Sequence, residues 1–191
     1  MTFSLIHCQY IPKTILYKNA YELLLDLPWQ PEEVIVFNKL HILDRQACRY
    51  GNNESQHYTG LGIKRNPIQE WPFILTELTK IMNRITKELY PDHPDYNFVL
   101  CNYYPNGKAS IGYHEYDEKD YMPYACIGSL SFGGTRDFTI KSKVTKCVEK
   151  IPLGNGDVFI MAPGFQQLYK HSVLKRVNAQ GRINLTFRSF K

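Results

Sequence analysis

The sequence lacks any run of about 18 apolar residues, so no segment is expected to cross a membrane as a helix. Its opening, Met1-Thr-Phe-Ser-Leu-Ile-His7, has no long apolar stretch of the kind a secretory leader requires. Cysteine is sparse: Cys8, Cys48, Cys101, Cys126 and Cys147 are odd in number, far apart and without a Cys-x-x-Cys pair. That spacing suggests neither a disulfide framework nor a zinc ribbon, and fits a reducing compartment. The expectation is an intracellular protein, nuclear or cytoplasmic, with no membrane partner. Internal repeats and low-complexity tracts are also missing. The excess of one charge sign is small, +5 from 23 Lys and Arg against 18 Asp and Glu. It permits an acidic partner such as nucleic acid without demanding one.

What is present suits a single folded domain of 191 residues. A 43% hydrophobic content can fill one core, and 14 tyrosines are far more aromatic side chain than a disordered chain carries. Ala20 to Leu27 reads as a short amphipathic helix stopped by Pro28, which cannot continue the hydrogen-bond ladder. From Pro72 to about Tyr90, Phe73, Ile74, Leu78, Ile81, Met82, Ile85 and Leu89 recur at helical spacing, as in a helix that covers a sheet. After Pro94 the pattern turns to short strand-like runs: Asn97 to Tyr104, Ala125 to Phe132, Asp137 to Ile140, Val158 to Ala162 and Ile183 to Phe187. Pro-Asn-Gly, Gly-Gly, Gly-Asn-Gly and Pro-Gly separate them. Helices first and strands later predict an α+β fold. Its core would be a double-stranded β-helix, or jelly roll, over 96–191, buttressed by N-terminal helices in 1–95.

Three features of the β half stand out: His114 after a strand and turn, His171 near the end, and the pair Arg182 and Arg188. Two imidazoles and a carboxylate on one face of a metal form the ligand set of non-haem iron, and two distant strands can supply them. A lone histidine is more often a plain core or surface residue. Arg182 and Arg188, six apart on one strand, share a face on which guanidinium forks can hold a carboxylate. Two solvated arginines are the bland alternative.

The wider string resolves part of this. Asn97-Phe-Val-Leu-Cys-Asn-Tyr-Tyr-Pro-Asn-Gly107 followed by Ile111-Gly-Tyr-His114, Ser129-Leu-Ser-Phe-Gly-Gly-Thr-Arg-Asp-Phe138, Tyr169-Lys-His171-Ser, and Arg182-Ile-Asn-Leu-Thr-Phe-Arg188 follow one another in order. Together they resemble the AlkB family of iron(II)- and 2-oxoglutarate-dependent dioxygenases. Val36-Phe-Asn-Lys39 through Asp44-Arg-Gln-Ala to Tyr50-Gly51 resembles the branch that repairs double-stranded DNA. The likeness runs from about Val34 to the C-terminus, which makes part of 1–95 a nucleotide-recognition segment.

The resemblance implies that His114 and His171 bind iron and that Asn102, Tyr104, Arg182, Thr186 and Arg188 hold 2-oxoglutarate. It also implies oxidative demethylation of N-alkylated bases in DNA, or in RNA, releasing formaldehyde, succinate and CO2. A monomer is expected. Val36, Phe37 and Asn38 match an intercalating finger, although Phe37 taken alone reads more readily as the end of a buried strand. Arg45 and Tyr50 match positions flanking the nucleotide pocket, and Tyr58 matches a pocket-lining tyrosine. Asp117 and Glu118 match an acidic pair that faces the base, with loop solvation as the alternative. Lys175 and Arg176 fall at a basic cluster that can neutralise phosphates, or form a solvated turn.

The sequence departs from the family at one ligand. Where the family has His-x-Asp, the string here is His114-Glu115-Tyr116-Asp117, so a phenol stands at the carboxylate position. Neighbouring side chains on extended backbone point to opposite faces, so a slide to Asp117 needs a bulge. Three outcomes follow: Tyr116 binds iron as phenolate, Asp117 bends in, or the metal is lost and a nucleic-acid-binding protein without turnover remains. Tyr58-Thr-Gly60-Leu-Gly62 has glycine about where the family places a base-stacking aromatic. Lys141 to Lys150 is basic but shorter than the branch's DNA-gripping loop.

Overall fold

The computed structural model describes residues 7–15, 17–36, 38–52, 66–115, 122 and 124–191, with Val36 described by its backbone alone. Its strands are β1 (Cys8–Ile11), β2 (Gln30–Val36), β3 (Lys39–Gly51), β4 (Phe98–Tyr104), β5 (Ile111–His114), β6 (Ile127–Gly133), β7 (Arg136–Ser142), β8 (Val148–Leu153), β9 (Val158–Met161), β10 (Tyr169–Val173) and β11 (Arg182–Arg188). Its helices are α1 (Ala20–Leu25), α2 (Phe73–Leu89) and α3 (Phe165–Leu168). A seven-stranded sheet runs β1-β9-β6-β11-β4-β3-β2 and a four-stranded sheet runs β5-β10-β7-β8. All the named strand pairs are antiparallel.

Strand β11 shows how the layers are made. It lies in the middle of the large sheet between β4 and β6, and all seven of its residues are buried. Ile183, Leu185 and Phe187 face the helices and join Leu24 of α1 and Leu75, Leu78 and Met82 of α2 in one apolar cluster. Each such side chain contributes roughly 1.5–3 kcal/mol by leaving water. Period-two alternation sends Arg182, Asn184, Thr186 and Arg188 to the opposite face, toward the small sheet. There a second cluster, including Tyr104, Phe138, Ile140, Phe159, Phe165 and Tyr169, fills the space between the sheets.

Helix α2 forms where its spacing requires. Ile74, Leu75, Leu78, Met82 and Ile85 make one buried stripe, Pro72 precedes the first turn, and Pro91 follows the last residues. The two sheets with a covering helix layer are the expected jelly-roll arrangement. The N-terminal part supplies more than helices, however: β1 adds to one edge of the large sheet beside β9, and the β2–β3 hairpin extends the other edge beside β4.

Candidate active site

The two histidines meet. Antiparallel pairing sets His171 of β10 directly opposite His114 of β5, with ring centroids 4.4 Å apart. His171 is only 2% exposed and is packed by Phe138 at 5.2 Å and Phe165 at 6.3 Å between ring centroids, contacts that restrict its ring. His114 Nδ1 lies 2.9 Å from the Gly112 carbonyl. A carbonyl only accepts, so Nδ1 carries the proton and Nε2 carries the lone pair that a metal requires.

Burial drives both imidazoles toward the neutral state. The His114 pKa falls to about 4; the Gly112 carbonyl offsets part of this effect, and the positive Arg45 and Arg188 reinforce it. The His171 pKa falls well below its ordinary value for the same first reason, with His114 and Arg188 adding to the effect. Neutral imidazole is the ligating form. Among the described residues no group of three or more His, Cys, Asp or Glu side chains is placed to hold a metal. Tyr116, Asp117 and Glu118 lie outside the described residues. Glu115, the residue after the first histidine, is ion-paired with Lys143 at the end of the β7–β8 hairpin.

The cavity beside the histidines is tight, with about 320 Å³ of empty space including its mouth. His114 and His171 line one wall, and Asn102, Tyr104, Arg182 and Asn184 line the other. Register explains the second wall, since Arg182 pairs with Tyr104 and Asn184 with Asn102 across β11 and β4. Arg182 is 1% exposed. Its Nη2 donates to Ser131 Oγ at 2.8 Å, and its guanidinium carbon lies 5.5 Å from the centroid of the Tyr104 ring. Nε and Nη1 of Arg182 are buried and have no hydrogen-bond partner among the described residues. Burial lowers its pKa to about 10, so it remains a cation at neutral pH. A buried cation with two unanswered donors fits a ligand carboxylate. Thr186 and Arg188 share this face of β11; Thr186 Oγ1 donates to Asn184 Oδ1 at 3.1 Å, and Arg188 is fully buried.

The other residues singled out from sequence are spread more widely. Arg45 lines the same cavity at 2% exposure, hydrogen-bonded to Asn102. Tyr50 sits on the helix-facing side of the large sheet at 2% exposure, against Trp71. Strand alternation turns it away from the cavity, so it packs the core and does not border a nucleotide there. Asn38 is at the tip of the β2–β3 hairpin with φ of 58°, a left-handed turn conformation that asparagine tolerates. The finger's Phe37, the side chain of Val36, and Tyr58 lie outside the described residues. Beside that tip, Ile35, Leu40 and Ile42 are 48%, 59% and 70% exposed. Lys175 and Arg176 line a separate surface depression of about 970 Å³, where Arg176 is 3.7 Å from Asp137.

Sequence reading passed over four residues of the site. Asn184 lines the cavity, donating to Ser129 Oγ at 2.8 Å and to the Leu130 carbonyl at 3.2 Å. Ser131 anchors Arg182. Arg136, 1% exposed, donates to the carbonyls of Asn106, Ala109 and Leu174 and so ties together the segments next to both histidine strands. Glu32 accepts from Arg49 Nη2 beside Arg45, which lines the cavity. Asn184 was the one with a visible signal, since it lies between Arg182 and Arg188 at even spacing.

A sequence profile of the 2OG-Fe(II) oxygenase superfamily matches residues 6–188. Human DNA oxidative demethylase ALKBH2 is 33% identical over 165 residues, covering 81% of this chain and 60% of that protein. The mouse alpha-ketoglutarate-dependent dioxygenase alkB homolog 3 is 32% identical over 174 residues, covering 86% of this chain and 58% of its own. The chain thus spans about three fifths of the length of these relatives. The solved structure of OsALKBH1 superposes with a TM-score of 0.64 at 18% identity, covering 98% of this chain and 99% of that one, a likeness of fold. Among the described residues no helix is long and apolar enough to cross a membrane. With nearly its whole length matched, the chain belongs to the 2OG-Fe(II) oxygenase superfamily, among its AlkB-family dioxygenases.

Proposed function

We propose that the protein removes alkyl groups oxidatively from the bases of nucleic acid, DNA first, with iron(II) and 2-oxoglutarate. The observation that carries this reading is one cavity with facing imidazoles on one wall and a buried arginine with unanswered donors on the other. The relatives point the same way, one of them being a DNA oxidative demethylase.

His114 and His171 would hold the metal, with the third ligand falling to Tyr116 or Asp117. Arg182 would clamp one carboxylate of the cosubstrate, helped by Asn102 and Tyr104, while Thr186 and Arg188 line the same face of β11. When bound, these two groups supply the oxidation of an N-linked methyl carbon by O2, with formaldehyde, succinate and CO2 as products. The protein's own part is to keep the imidazoles neutral, position the dicarboxylate and exclude water from a narrow space.

A methylated base must leave its stack to reach such a cavity, at a cost of a few kcal/mol in a duplex. The β2–β3 hairpin offers compensation: Ile35, Leu40 and Ile42 already expose apolar surface beside the Val36-Phe37-Asn38 tip, and apolar wedges fill vacated stacks. Lys175 and Arg176 supply positive charge for phosphates.

The test is incubation with iron(II), 2-oxoglutarate and oligonucleotides carrying 1-methyladenine, in single-stranded and duplex DNA and in RNA. Succinate, formaldehyde and unmodified adenine should appear in equal amounts. Salt-sensitive binding of the oligonucleotide with none of these products would instead indicate a binding protein without turnover, with Tyr116 as the cause. A Phe37→Ala variant should weaken duplex binding, and unchanged affinity would remove the finger from the account.

A further inference from the structure

Beneath the mouth of the hairpin lies a charged group that the demethylation reading does not use. Glu32 of β2, Arg45 and Arg49 of β3 are 1%, 2% and 7% exposed, although charged side chains are almost never fully buried without partners. Pairing of β2 with β3 runs Pro31 to Gln46 and then Glu33 to Ile42, so Glu32 alone stands against Leu43, Asp44 and Arg45 at an irregularity in the ladder. That bulge brings its carboxylate to the arginines. Arg49 Nη2 donates to both carboxylate oxygens at 2.7 and 2.6 Å, and Arg45 Nη2 lies 3.8 Å from Oε2.

On its other side Arg45 Nη1 donates to Oδ1 of Asn102, which lines the cavity and is only 3% exposed. A guanidinium has donors and no acceptor, so only the carbonyl end of the Asn102 amide can face it. The Nδ2 end, which can only donate, is thereby directed away from Arg45. Nothing else about asparagine fixes that choice, since its two ends are nearly equal in shape.

We propose that Arg45, anchored by Glu32 and Arg49, is a positioning residue for the cosubstrate dicarboxylate, holding the Asn102 amide with its donor end toward the bound anion. The inference rests on the 2-oxoglutarate reading above and gives the recognition hairpin a second task at the far side of the same cavity. It also accounts for burying a net positive group beside Arg182: an entering dianion meets two arginines and one amide whose donors are already oriented. Glu32 keeps the cluster from carrying both positive charges uncompensated.

The experiment measures equilibrium binding of 2-oxoglutarate to the iron(II)-loaded protein without oxygen, by calorimetry, in parallel with oligonucleotide affinity. Arg45→Met should weaken 2-oxoglutarate about tenfold, the effect of one misdirected charge-assisted hydrogen bond. Arg49 still neutralises Glu32 in that variant, so the fold should survive; if it does not, Arg45→Gln, which can accept as well as donate, should show the same weakening. Arg45→Lys, whose ammonium is also donor-only, should restore most of the affinity. In an Asn102→Ala background Arg45→Met should add nothing further, and oligonucleotide affinity should stay constant throughout.

Full 2-oxoglutarate affinity in Arg45→Met, a loss in Arg45→Lys as large as in Arg45→Met, or an additive loss in the double variant overturns the proposal while leaving the demethylation reading intact. A change confined to oligonucleotide affinity also overturns it, by assigning Arg45 to the base. Failure of the unaltered protein to bind 2-oxoglutarate sinks both.

Discussion

The two walls of the cavity are built differently. The wall bearing Arg182 and Asn102 lies in the interior of the large sheet, where β11 is hydrogen-bonded on both sides and every one of its residues is buried. The wall bearing His114 is a four-residue strand at the edge of the small sheet, paired among the described residues with β10 alone, through a register that shifts between His171 and Val173. Gly112 and Tyr113 are exposed there. Side chains on β11 are fixed by packing on two faces. At the exit of β5, Glu115 is ion-paired with Lys143, and Lys141 Nζ lies 5.6 Å from the centroid of the exposed Tyr113 ring. For a centre held by His114 and His171 as proposed, a changed ligand is better tolerated at this edge, and Tyr116 follows Glu115 in the sequence.

This contrast can be broken at several points. The largest effect belongs to His171→Ala, which should reduce iron(II) binding and turnover to background in anaerobic titration and product assay; retained metal affinity would move the metal elsewhere. Arg182→Ala should raise the KM for 2-oxoglutarate by about 10- to 100-fold, the range for losing a charge-assisted, forked contact. Tyr116→Asp should raise iron(II) affinity by about tenfold or more, since a carboxylate ligates without a proton being driven off a phenol whose ordinary pKa is about 10. An unchanged affinity would show that Asp117 already serves.

Smaller changes sharpen the difference in rigidity. Ser131→Ala removes the hydroxyl to which Arg182 donates and should raise the KM for 2-oxoglutarate a few-fold, with a stability cost of about 1 kcal/mol in urea unfolding. Lys143→Ala should change stability by less than about 1 kcal/mol, as for part-exposed pairs generally, while weakening iron(II) modestly by loosening the exit of β5. Equal effects of these two substitutions on 2-oxoglutarate would erase the distinction between the walls.

The sequence disclosed the interior wall better than the edge. Strands β4 and β9 read as apolar runs between turn residues, β11 alternates strictly between polar and apolar residues, and α2 has a regular stripe. The short strands β1, β5 and β10 have too few residues for a period to show, and β2 and β3 carry charges inside a sheet, which hides their alternation. Tyr50 illustrates a limit of motif matching: its neighbours fit, yet the face it occupies follows from counting along β3, where Arg45, Ala47 and Arg49 take the cavity side and Cys48 and Tyr50 the helix side. Glu32 was invisible because its partners are 13 and 17 residues away and a bulge sets their register.

Anaerobic titration of iron(II) and 2-oxoglutarate, each in the presence and absence of the other, measures directly whether imidazoles and arginine serve one centre. Ligands sharing a cavity must influence each other's affinity by the same factor. The account predicts that iron(II) tightens 2-oxoglutarate in the unaltered protein and that His171→Ala abolishes this tightening. If 2-oxoglutarate binds with the same affinity whether or not iron(II) and His171 are present, the two walls do not form one site.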